Sequence, residues 1–299
     1  MAENRDRRSG VDWPAQKLKV VSAYLHDFTR TVSKAGRPLV LIDAFSGTGY
    51  RGQRERQVMS YGSVFDDLDE LIEPDPQQFL ADFPMIPLGV APPFERLIYI
   101  QREKEMAEAL EQLKSGHPQG SPAIEIHYSP AACDILEVCQ AWDKRCRGLL
   151  FLDPVGMETH WEAIHAIADT GCIDLCVFFP FAANRVLTRF PDDIRIAWEA
   201  RLTHFFGTEE WEMACYKAKT YVDIFGDDKR VVEKYLMREG AGAFYHSRLK
   251  SAFPHVAPED AIMKTGDGRP LFQIFFATAQ KEREGEIALQ IAHELLDDI

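Results

Sequence analysis

An apolar segment that runs into a glycine turn is the feature that most constrains the fold of this chain. Residues 39–49 read Leu-Val-Leu-Ile-Asp-Ala-Phe-Ser-Gly-Thr-Gly, with an acid at Asp43 and glycines at Gly47 and Gly49. A continuous apolar run of this length predicts a buried strand of a parallel sheet. The Gly-x-Gly turn lets backbone N–H groups approach a ligand because no Cβ intervenes. The segment therefore predicts a buried strand followed by a ligand-binding turn.

The order of these residues resembles the first motif of class I S-adenosylmethionine-dependent methyltransferases. A dinucleotide-binding fingerprint is a poorer match, although Gly52 supplies the third glycine of Gly-x-Gly-x-x-Gly. The segment 51–54 (Arg-Gly-Gln-Arg) is a poor start for a helix, and that fingerprint has no place for an acid before the turn. A nicotinamide-dependent oxidoreductase is therefore disfavoured.

The composition indicates a globular protein. The chain has 299 residues, of which 46% are hydrophobic, enough for one large α/β domain. No window contains the roughly 18 apolar residues of a membrane span. Residues 1–8 are polar and lack the apolar region of a signal peptide, which predicts a cytoplasmic location. The six cysteines show no Cys-x-x-Cys spacing and are predicted to be free thiols in a reducing compartment.

The charge is unevenly distributed along the chain. The net charge of −13 disfavours a general nucleic-acid binder. Residues 1–60 nevertheless hold 11 basic and 6 acidic residues, whereas residues 61–100 hold 1 basic and 8 acidic residues. Arg51, Arg54 and Arg56 follow the glycine turn, where a substrate would approach. Two interpretations stay open for them, a basic entrance to the site and a solvated loop.

The apolar patterns alternate between strands and helices along the chain. Strands are predicted at 39–42, 97–100, 124–128, 148–154, 173–180 and 271–277. Helices are predicted at 17–33, 104–113, 134–143, 161–168, 182–188, 194–206, 209–224, 228–239 and 284–298. This alternation predicts an α/β fold with a Rossmann-like, doubly wound and mostly parallel sheet. Asp267-Gly268 predicts a hairpin before the last strand, which would then be antiparallel, as in class I methyltransferases.

The predicted organisation is a single Rossmann-like methyltransferase-type domain over 1–299. Residues 51–95 form a long connection rich in proline and acid, which exceeds a normal link and is predicted to be an insertion or a lid. Residues 182–255 are predicted to form a helical insertion before the C-terminal strands.

The predicted cofactor residues follow the first two strands, because ligands of such sheets bind at the carboxyl ends of the strands. Asp43 with Gly47 and Gly49 is predicted to hold the methionine part of S-adenosylmethionine. Class I methyltransferases usually place an acid after the second strand, where it accepts both ribose hydroxyls. Here Gln101 stands at that place, and as a neutral partner it is expected to bind a hydroxyl more weakly.

The remaining cofactor candidates flank these positions. They are Phe45 in the glycine motif, Arg102 and Glu103 directly after Gln101, and Asp134 after the third strand. Two interpretations of Asp134 stay open: its carboxylate accepts from the adenine amino group, or it caps the N-terminus of a helix.

The predicted catalytic residues follow the fourth and fifth strands. Asp153-Pro154 resembles the start of the Asp/Asn-Pro-Pro-Tyr/Phe motif of amino methyltransferases, whose acid accepts from the target amino group and whose aromatic residue stacks on a flipped base. Val155-Gly156 replaces the rest of that motif, so the stacking residue is missing. Asn184-Arg185 after the fifth strand either binds an acidic group of the substrate or caps a helix. No histidine pair has the spacing of a metal site.

A wider resemblance covers most of the chain in the right order. Eight segments are similar to the three-Cys-motif partner proteins, known as TcmP: Ile42–Gly49, Tyr61–Ser63, Phe151–Met157, Trp161–Ile164, Ile173–Leu175, Phe179-Pro180, Asn184-Arg185 and Leu271–Ala277. The family name refers to cysteines of a partner, a radical-S-adenosylmethionine-like protein encoded nearby. The resemblance implies a Rossmann-like methyltransferase fold and that partner, while family members usually carry an acid at the place of Gln101.

Two functions follow as hypotheses. The first is an S-adenosylmethionine-dependent methyltransferase with metal-free chemistry, whose acceptor is left open between nucleic acid and a protein side chain. The alternative is a degenerate methyltransferase fold that binds the three-Cys-motif protein as a scaffold, which the glutamine at 101 and the incomplete Asp-Pro motif favour.

Overall fold

The computed structural model describes most of the chain outside 46–82. The described residues are 13–45, 83–101, 104–117, 122–129, 131–153, 157, 159–181, 183–187, 194, 196–222, 225, 227–234, 240–258, 261–264, 268, 270–280 and 282–297. The helices are α1 Trp13–Val32, α2 Lys104–Gly116, α3 Ala131–Gln140, α4 Trp161–Thr170, α5 Ala183–Val186, α6 Ile196–Phe206, α7 Trp211–Cys215, α8 Gly240–Ala252 and α9 Glu282–Asp297, with 3-10 turns at Ser33–Ala35 and Phe83–Gly89. The strands are β1 Leu39–Phe45, β2 Arg96–Gln101, β3 Ala123–Tyr128, β4 Arg147–Asp153, β5 Ile173–Pro180, β6 Tyr216–Val222, β7 Asp228–Lys234, β8 His255–Val256, β9 Ala261–Lys264 and β10 Pro270–Thr278.

The main sheet is doubly wound. Its strand order is β3-β2-β1-β4-β5-β10, with β8 and β9 sharing the outer edge of β10. The first five strands are mutually parallel, and β10 is antiparallel to β5. Strand order reverses between β1 and β4, so the topological switch point lies between these two strands. The predicted Rossmann-like fold with a late antiparallel strand is confirmed.

Both faces of the sheet are covered because its strands are apolar on both sides. On one face Leu39 and Leu41 of β1 pack in a cluster with α1, α9 and the Phe83–Gly89 turn. On the other face Val40 and Ile42 belong to a cluster with α3, α4, α6 and α8. The strands thus form the middle of three layers, and only their ends and loops are left to form a polar site.

A buried ionic network closes the amino edge of the sheet, opposite the predicted site. Arg147 at the start of β4 donates to Asp174 of β5 over 2.7 Å, and both side chains are almost fully buried. Thr278 at the end of β10 donates to the other carboxylate oxygen of Asp174, and Glu284 of α9 lies 3.3 Å from Arg147. Arg37 also reaches Glu284 and donates to the carbonyl oxygens of residues 144–146. This network joins β4, β5, β10 and α9.

The region 182–255 differs from the predicted helical insertion. The helices predicted at 209–224 and 228–239 are wrong there: α7 covers only Trp211–Cys215, and Tyr216–Val222 and Asp228–Lys234 pair as an antiparallel ribbon. Thr, Tyr and Val residues at 220–222 and 231–232 favour extended backbone. The ribbon is separate from the main sheet and strongly exposed, with Tyr221, Val222 and Phe225 at 53%, 65% and 82% exposure.

Further elements were not predicted. Helix α8 and the short strands β8 and β9 are additional, and β9 forms the predicted antiparallel pair with β10, with Gly268 in the connection at φ 82°. Helix α3 begins at Ala131, three residues before the predicted start. Asp134 is consequently inside the first turn, and its interpretation as the N-cap is wrong. Among the described residues, no helix is both long and apolar enough to cross a membrane.

Candidate active site

Three predicted site residues stand level at the carboxyl edge of neighbouring strands. Phe45 of β1 pairs in register with Asp153 of β4, and Asp43 pairs with Tyr99 of β2. Gln101, two residues after Tyr99, is therefore level with Phe45. Since neighbouring strands lie about 5 Å apart, positions 101, 45 and 153 span about 10 Å across the switch point. The register brings together the ends of β2, β1 and β4, which the sequence placed in one site.

Asp43 lies two residues before the end of β1 and is 5% exposed. Its strand periodicity puts it on the face of Leu41, beside Tyr99 on β2. Burial raises the pKa of Tyr99, and the nearby Asp43 carboxylate raises it further. The Tyr99 hydroxyl stays neutral and donates to the carbonyl oxygen of Pro84 over 2.8 Å. A buried carboxylate at this depth suits a cationic group of a ligand, because charge pairing offsets desolvation.

Gln101 presents an orphaned acceptor. The residue is 7% exposed, and its Oε1 atom has no hydrogen-bond partner among the described residues. A buried acceptor without a partner costs roughly 1–3 kcal/mol, so native structures seldom leave one unexplained. A hydroxyl donor of a ligand would satisfy this oxygen. The residues present therefore fit an adenosyl group whose ribose lies at the end of β2.

Asp134 is buried in the first turn of α3 and belongs to a local polar group. The Ser129 hydroxyl donates to one of its carboxylate oxygens. The other oxygen lies 3.7 Å from Nδ1 of His127 on β3. The Asp134 carboxylate thus already interacts with His127 of β3 and with Ser129 directly after it. Its contact with an adenine amino group stays a prediction.

The polar groups of Asn184 in α5 form hydrogen bonds within the fold. Its side-chain oxygen accepts from the backbone N–H of Ala241 over 3.0 Å, at the first turn of α8. Its amide nitrogen donates to the carbonyl oxygen of Phe181 over 3.4 Å. Lys234 of β7 donates to the Asn184 carbonyl oxygen over 2.5 Å. Asn184 therefore joins α5, α8 and the ribbon, and its predicted catalytic role stays untested.

Other predicted site residues lie outside the described residues. These are Gly47, Gly49, Arg102, Glu103 and Pro154, together with the basic residues Arg51, Arg54 and Arg56, and most of the predicted lid at 51–95. For Phe45 and Asp153 the backbone position is described and the side chain is not. Within the described part of the chain, no group of three His, Cys, Asp or Glu residues is arranged to hold a metal ion.

A cleft next to the end of β4 was missed by the sequence analysis. It has a volume of about 260 Å³ and is lined by Met157, His160, Arg201 and His204. Met157 follows Asp153 by four residues, which limits their separation to about 14 Å. Met157 has φ 57°, a conformation unusual for a residue with a side chain. The only indication of this cleft in the sequence was that His160 follows Asp153 by seven residues. No sequence pattern relates His160 to residues 201–204.

The cleft lies between helices α4 and α6. His160 is the N-cap residue of α4, with no side-chain capping bond. Its ring stacks on the ring of His204, with centroids 5.0 Å apart and an interplanar angle of 21°. The Arg201 guanidinium lies 5.2 Å from the ring centroid of Trp198. Because α4 connects β4 to β5, its N-terminus and the cleft lie at the carboxyl edge of the sheet.

Comparisons with known proteins add distant structural likenesses. No family model matches the sequence, and no curated protein matches it, so membership of the three-Cys-motif partner family is not confirmed. Among solved structures, a proposed S-adenosylmethionine dependent methyltransferase from Listeria monocytogenes has a TM-score of 0.40 at 10% identity, covering 87% of this chain and 100% of its own. Spermidine synthase in complex with the transition-state analogue AdoDATO has a TM-score of 0.39 at 12% identity, covering 96% and 76%. The CcbJ methyltransferase from Streptomyces caelestis has a TM-score of 0.35 at 10% identity, covering 86% and 90%. The strand order and the late antiparallel strand, rather than these likenesses, identify a Rossmann-like, doubly wound fold.

Proposed function

We propose that this protein is an S-adenosylmethionine-dependent methyltransferase. The observation that carries the proposal is that Asp43 and Gln101 are both buried and lie on adjacent strands beside the switch point. The Oε1 atom of Gln101 also lacks a hydrogen-bond partner among the described residues. Asp43 would bind the amino group of the cofactor's methionine part, and Gln101 would accept a hydrogen bond from a ribose hydroxyl. Asp134 would accept from the adenine amino group.

S-adenosylmethionine, when bound, supplies a methyl group activated by a sulfonium centre. The work of this chain is then mainly to hold cofactor and acceptor in line, which contributes most of such a rate enhancement. Asp153 is level with Phe45 across the switch point. It would orient the acceptor or take its proton.

The acceptor and the partner belong to the same proposal. The Asp153-Pro154 motif and the basic residues Arg51 and Arg54 support a nucleic-acid acceptor. The resemblance to three-Cys-motif partner proteins supports work with a radical-S-adenosylmethionine-like protein. Fold alone does not decide either point.

A second candidate is a scaffold that binds this partner without methyl transfer. The neutral Gln101 and the engagement of the Asn184 side chain within the fold favour it. The two candidates differ in cofactor affinity, because only the enzyme needs a working site.

Calorimetric titration with S-adenosylmethionine and S-adenosylhomocysteine tests the proposal, with the protein alone and co-purified with the three-Cys-motif protein. We expect micromolar affinity in at least one of these forms, abolished by Gly47→Val. Asp43→Asn should weaken binding about 10-fold or more, because hydrogen bonds to charged groups contribute roughly 1.5–3 kcal/mol.

Asp143→Asn is the matched control, since Asp143 precedes β4 at the amino edge and pairs with Arg145. It should leave cofactor affinity unchanged. No heat of binding at millimolar ligand, in either form, would overturn the methyltransferase proposal in favour of the scaffold.

A further inference from the structure

We propose that β7 pairs edge to edge with β7 of a second copy of this chain. The ribbon of β6 and β7 is a sheet of its own, and among the described strands none pairs with the outer edge of β7. A two-stranded ribbon is marginally stable by itself, and an uncovered strand edge offers backbone N–H and C=O groups to another chain. Two ribbons joined in this way would form a four-stranded sheet with a two-fold axis.

The charge pattern of β7 is complementary to itself. The strand reads Asp-Lys-Arg-Val-Val-Glu-Lys over Asp228–Lys234, with Val231 at its centre. When two copies pair antiparallel over all seven residues, Val231 faces Val231 of the second copy, position 228 faces 234, and position 229 faces 233. An acid then lies directly opposite a base at both of these pairs of positions, which stabilises a strand pair. The complementarity is set by strand register, so it holds whatever contacts these side chains make within one copy.

Other registers bring like charges together. A shift of the pairing by one or two residues in either direction places one like-charged pair in direct opposition. The pairs are Asp228 with Glu233, Arg230 with Arg230, Lys229 with Lys234, and Arg230 with Lys234. Because like charges directly opposite destabilise a sheet, the sequence of β7 selects the full-length register.

Most of β7 is exposed, and so is the end of the ribbon where β6 leads into β7. Residues 228–230 and 232 are exposed, and Val222 and Phe225 expose apolar side chains at that end. Antiparallel pairing puts this end beside position 234 of the second copy, where Lys234 donates to the carbonyl oxygen of Asn184. The apolar end of each ribbon would therefore lie next to the body of the other copy. Since Lys234 is engaged there, the pair of positions 229 and 233 is expected to contribute most of the charge specificity.

Sedimentation equilibrium of the full chain at about 1–500 μM tests the pairing, because a strand contact of this length is at the small end of specific interfaces. We expect a monomer–dimer equilibrium in the micromolar range, without larger species. Lys229→Glu and Glu233→Lys each create two like-charged pairs in the dimer and should each weaken it about 10-fold or more. An equimolar mixture of these two variants restores opposite charges at both places and should dimerise like the parent protein.

Lys219→Glu on β6 is the matched control, since it makes the same charge change on the same face of the ribbon but away from the outer edge of β7. It should keep the dimer affinity of the parent protein. Position 233 also faces Lys217 within the ribbon, so Glu233→Gln serves as a second variant that adds no like charge. It should weaken the dimer about 3-fold.

Hydrogen exchange identifies the strand that pairs. Alternate backbone amides of residues 228–234 should exchange more slowly at high than at low protein concentration, whereas the amides of β6 should not change. Thermal melting of each variant distinguishes loss of pairing from loss of the fold.

Three outcomes would overturn the proposal. A protein that stays monomeric at about 500 μM would leave this edge to a strand of a different protein. A dimer that tolerates Lys229→Glu would have its interface elsewhere. A mixture of Lys229→Glu and Glu233→Lys that fails to dimerise, although both variants are folded, would exclude the register centred on Val231.

Discussion

Gln101 and Asp43 illustrate how single side chains decide what a strand end can bind. Both are buried on the same sheet face of adjacent strands, but one is charged and the other neutral. The glutamine oxygen lacks a hydrogen-bond partner among the described residues. A ligand donor would satisfy this oxygen. At the residue scale, the chemistry of the site follows from Asp43 and Gln101, which lie two register positions apart on adjacent strands.

Gln101→Glu should tighten binding of S-adenosylhomocysteine and weaken the free protein. A carboxylate accepts from ribose hydroxyls in charge-assisted hydrogen bonds, about twice as strong as neutral ones, so we expect about 5-fold higher affinity. The new charge also lies near Asp43, and like charges in a buried site destabilise the unliganded fold. Calorimetry and urea denaturation measure the two effects.

Gln101→Leu is the control for this change, because it replaces the amide and its orphaned oxygen with an apolar side chain of similar size. It should weaken ligand binding without destabilising the free protein. Equal ligand affinities of the Glu and Leu variants would show that the side chain at 101 does not contact the ligand.

At the scale of elements, a close approach joins α4 to the end of α6. Gly207 ends α6 at φ 69°, and a Cβ there would lie 2.2 Å from Cγ of Trp161 on α4. Arg248 of α8 donates to the Phe206 carbonyl oxygen and lies 4.9 Å from the Trp161 ring centroid. Only glycine permits this approach, because the positive φ and the ring both exclude a side chain.

Gly207→Ala should therefore destabilise the protein more than an alanine at an open glycine of similar φ. Gly171 after α4 has φ 65° and open space around its Cα, so Gly171→Ala carries the backbone strain alone, about 1–2 kcal/mol. The clash with Trp161 should add about 1–3 kcal/mol at position 207. Urea denaturation of both variants measures the difference, and equal losses would mean that Trp161 moves without penalty.

Element prediction succeeded where burial dictated the pattern and failed where it did not. Strand β5 is buried along its whole length and apolar apart from Asp174, and its predicted bounds 173–180 are those observed. The ribbon strands are mostly exposed, so no buried apolar face distinguished them from helices, and the β-branched and aromatic residues at 220–222 and 231–232 alone did not decide the prediction. Strands β8 and β9, with 2 and 4 residues, form only because β10 offers its edge.

At the scale of the whole molecule, the network around Arg147 and Asp174 joins early and late parts of the chain. Arg147→Met or Asp174→Asn should each lower the free energy of unfolding by about 3–5 kcal/mol, because each removes the buried ionic partner of the other residue, and Glu284 or Thr278 offsets that loss only in part. The double variant Arg147→Met with Asp174→Leu should recover much of the loss. Urea denaturation followed by circular dichroism measures all three.

The comparison of single and double variants tests whether Arg147 and Asp174 stabilise the fold as a coupled pair. Single losses below about 1 kcal/mol would show that water reaches the amino edge and solvates the remaining partner. A double variant as unstable as the sum of the singles would show that the pair is not coupled.

How much of the site could be predicted depends on whether its residues follow strands. Asp43 and Gln101 stand at strand ends, and parallel strands bring their ends to one edge, so their proximity follows from topology. Arg201 and His204 meet His160 only through packing of α6 on α4, about forty residues away in sequence. Such a contact leaves no periodic signal. The hydrogen bond between Asn184 and the first turn of α8 could not be predicted either, because α8 itself was not predicted.

Strand β10 bears on how this protein is made. It lies inside the sheet between β5 and the β8–β9 edge, and residues 272–278 are buried. Residues 270–278 leave the ribosome after all the other described strands, so until then the edge of β5 that faces β10 has no partner strand. Domains fold as units during synthesis, and unpaired apolar strand edges promote aggregation. The nascent chain is thus expected to need chaperone protection until β10 emerges, and proteolytic loss of β10 should unfold the core rather than shorten it.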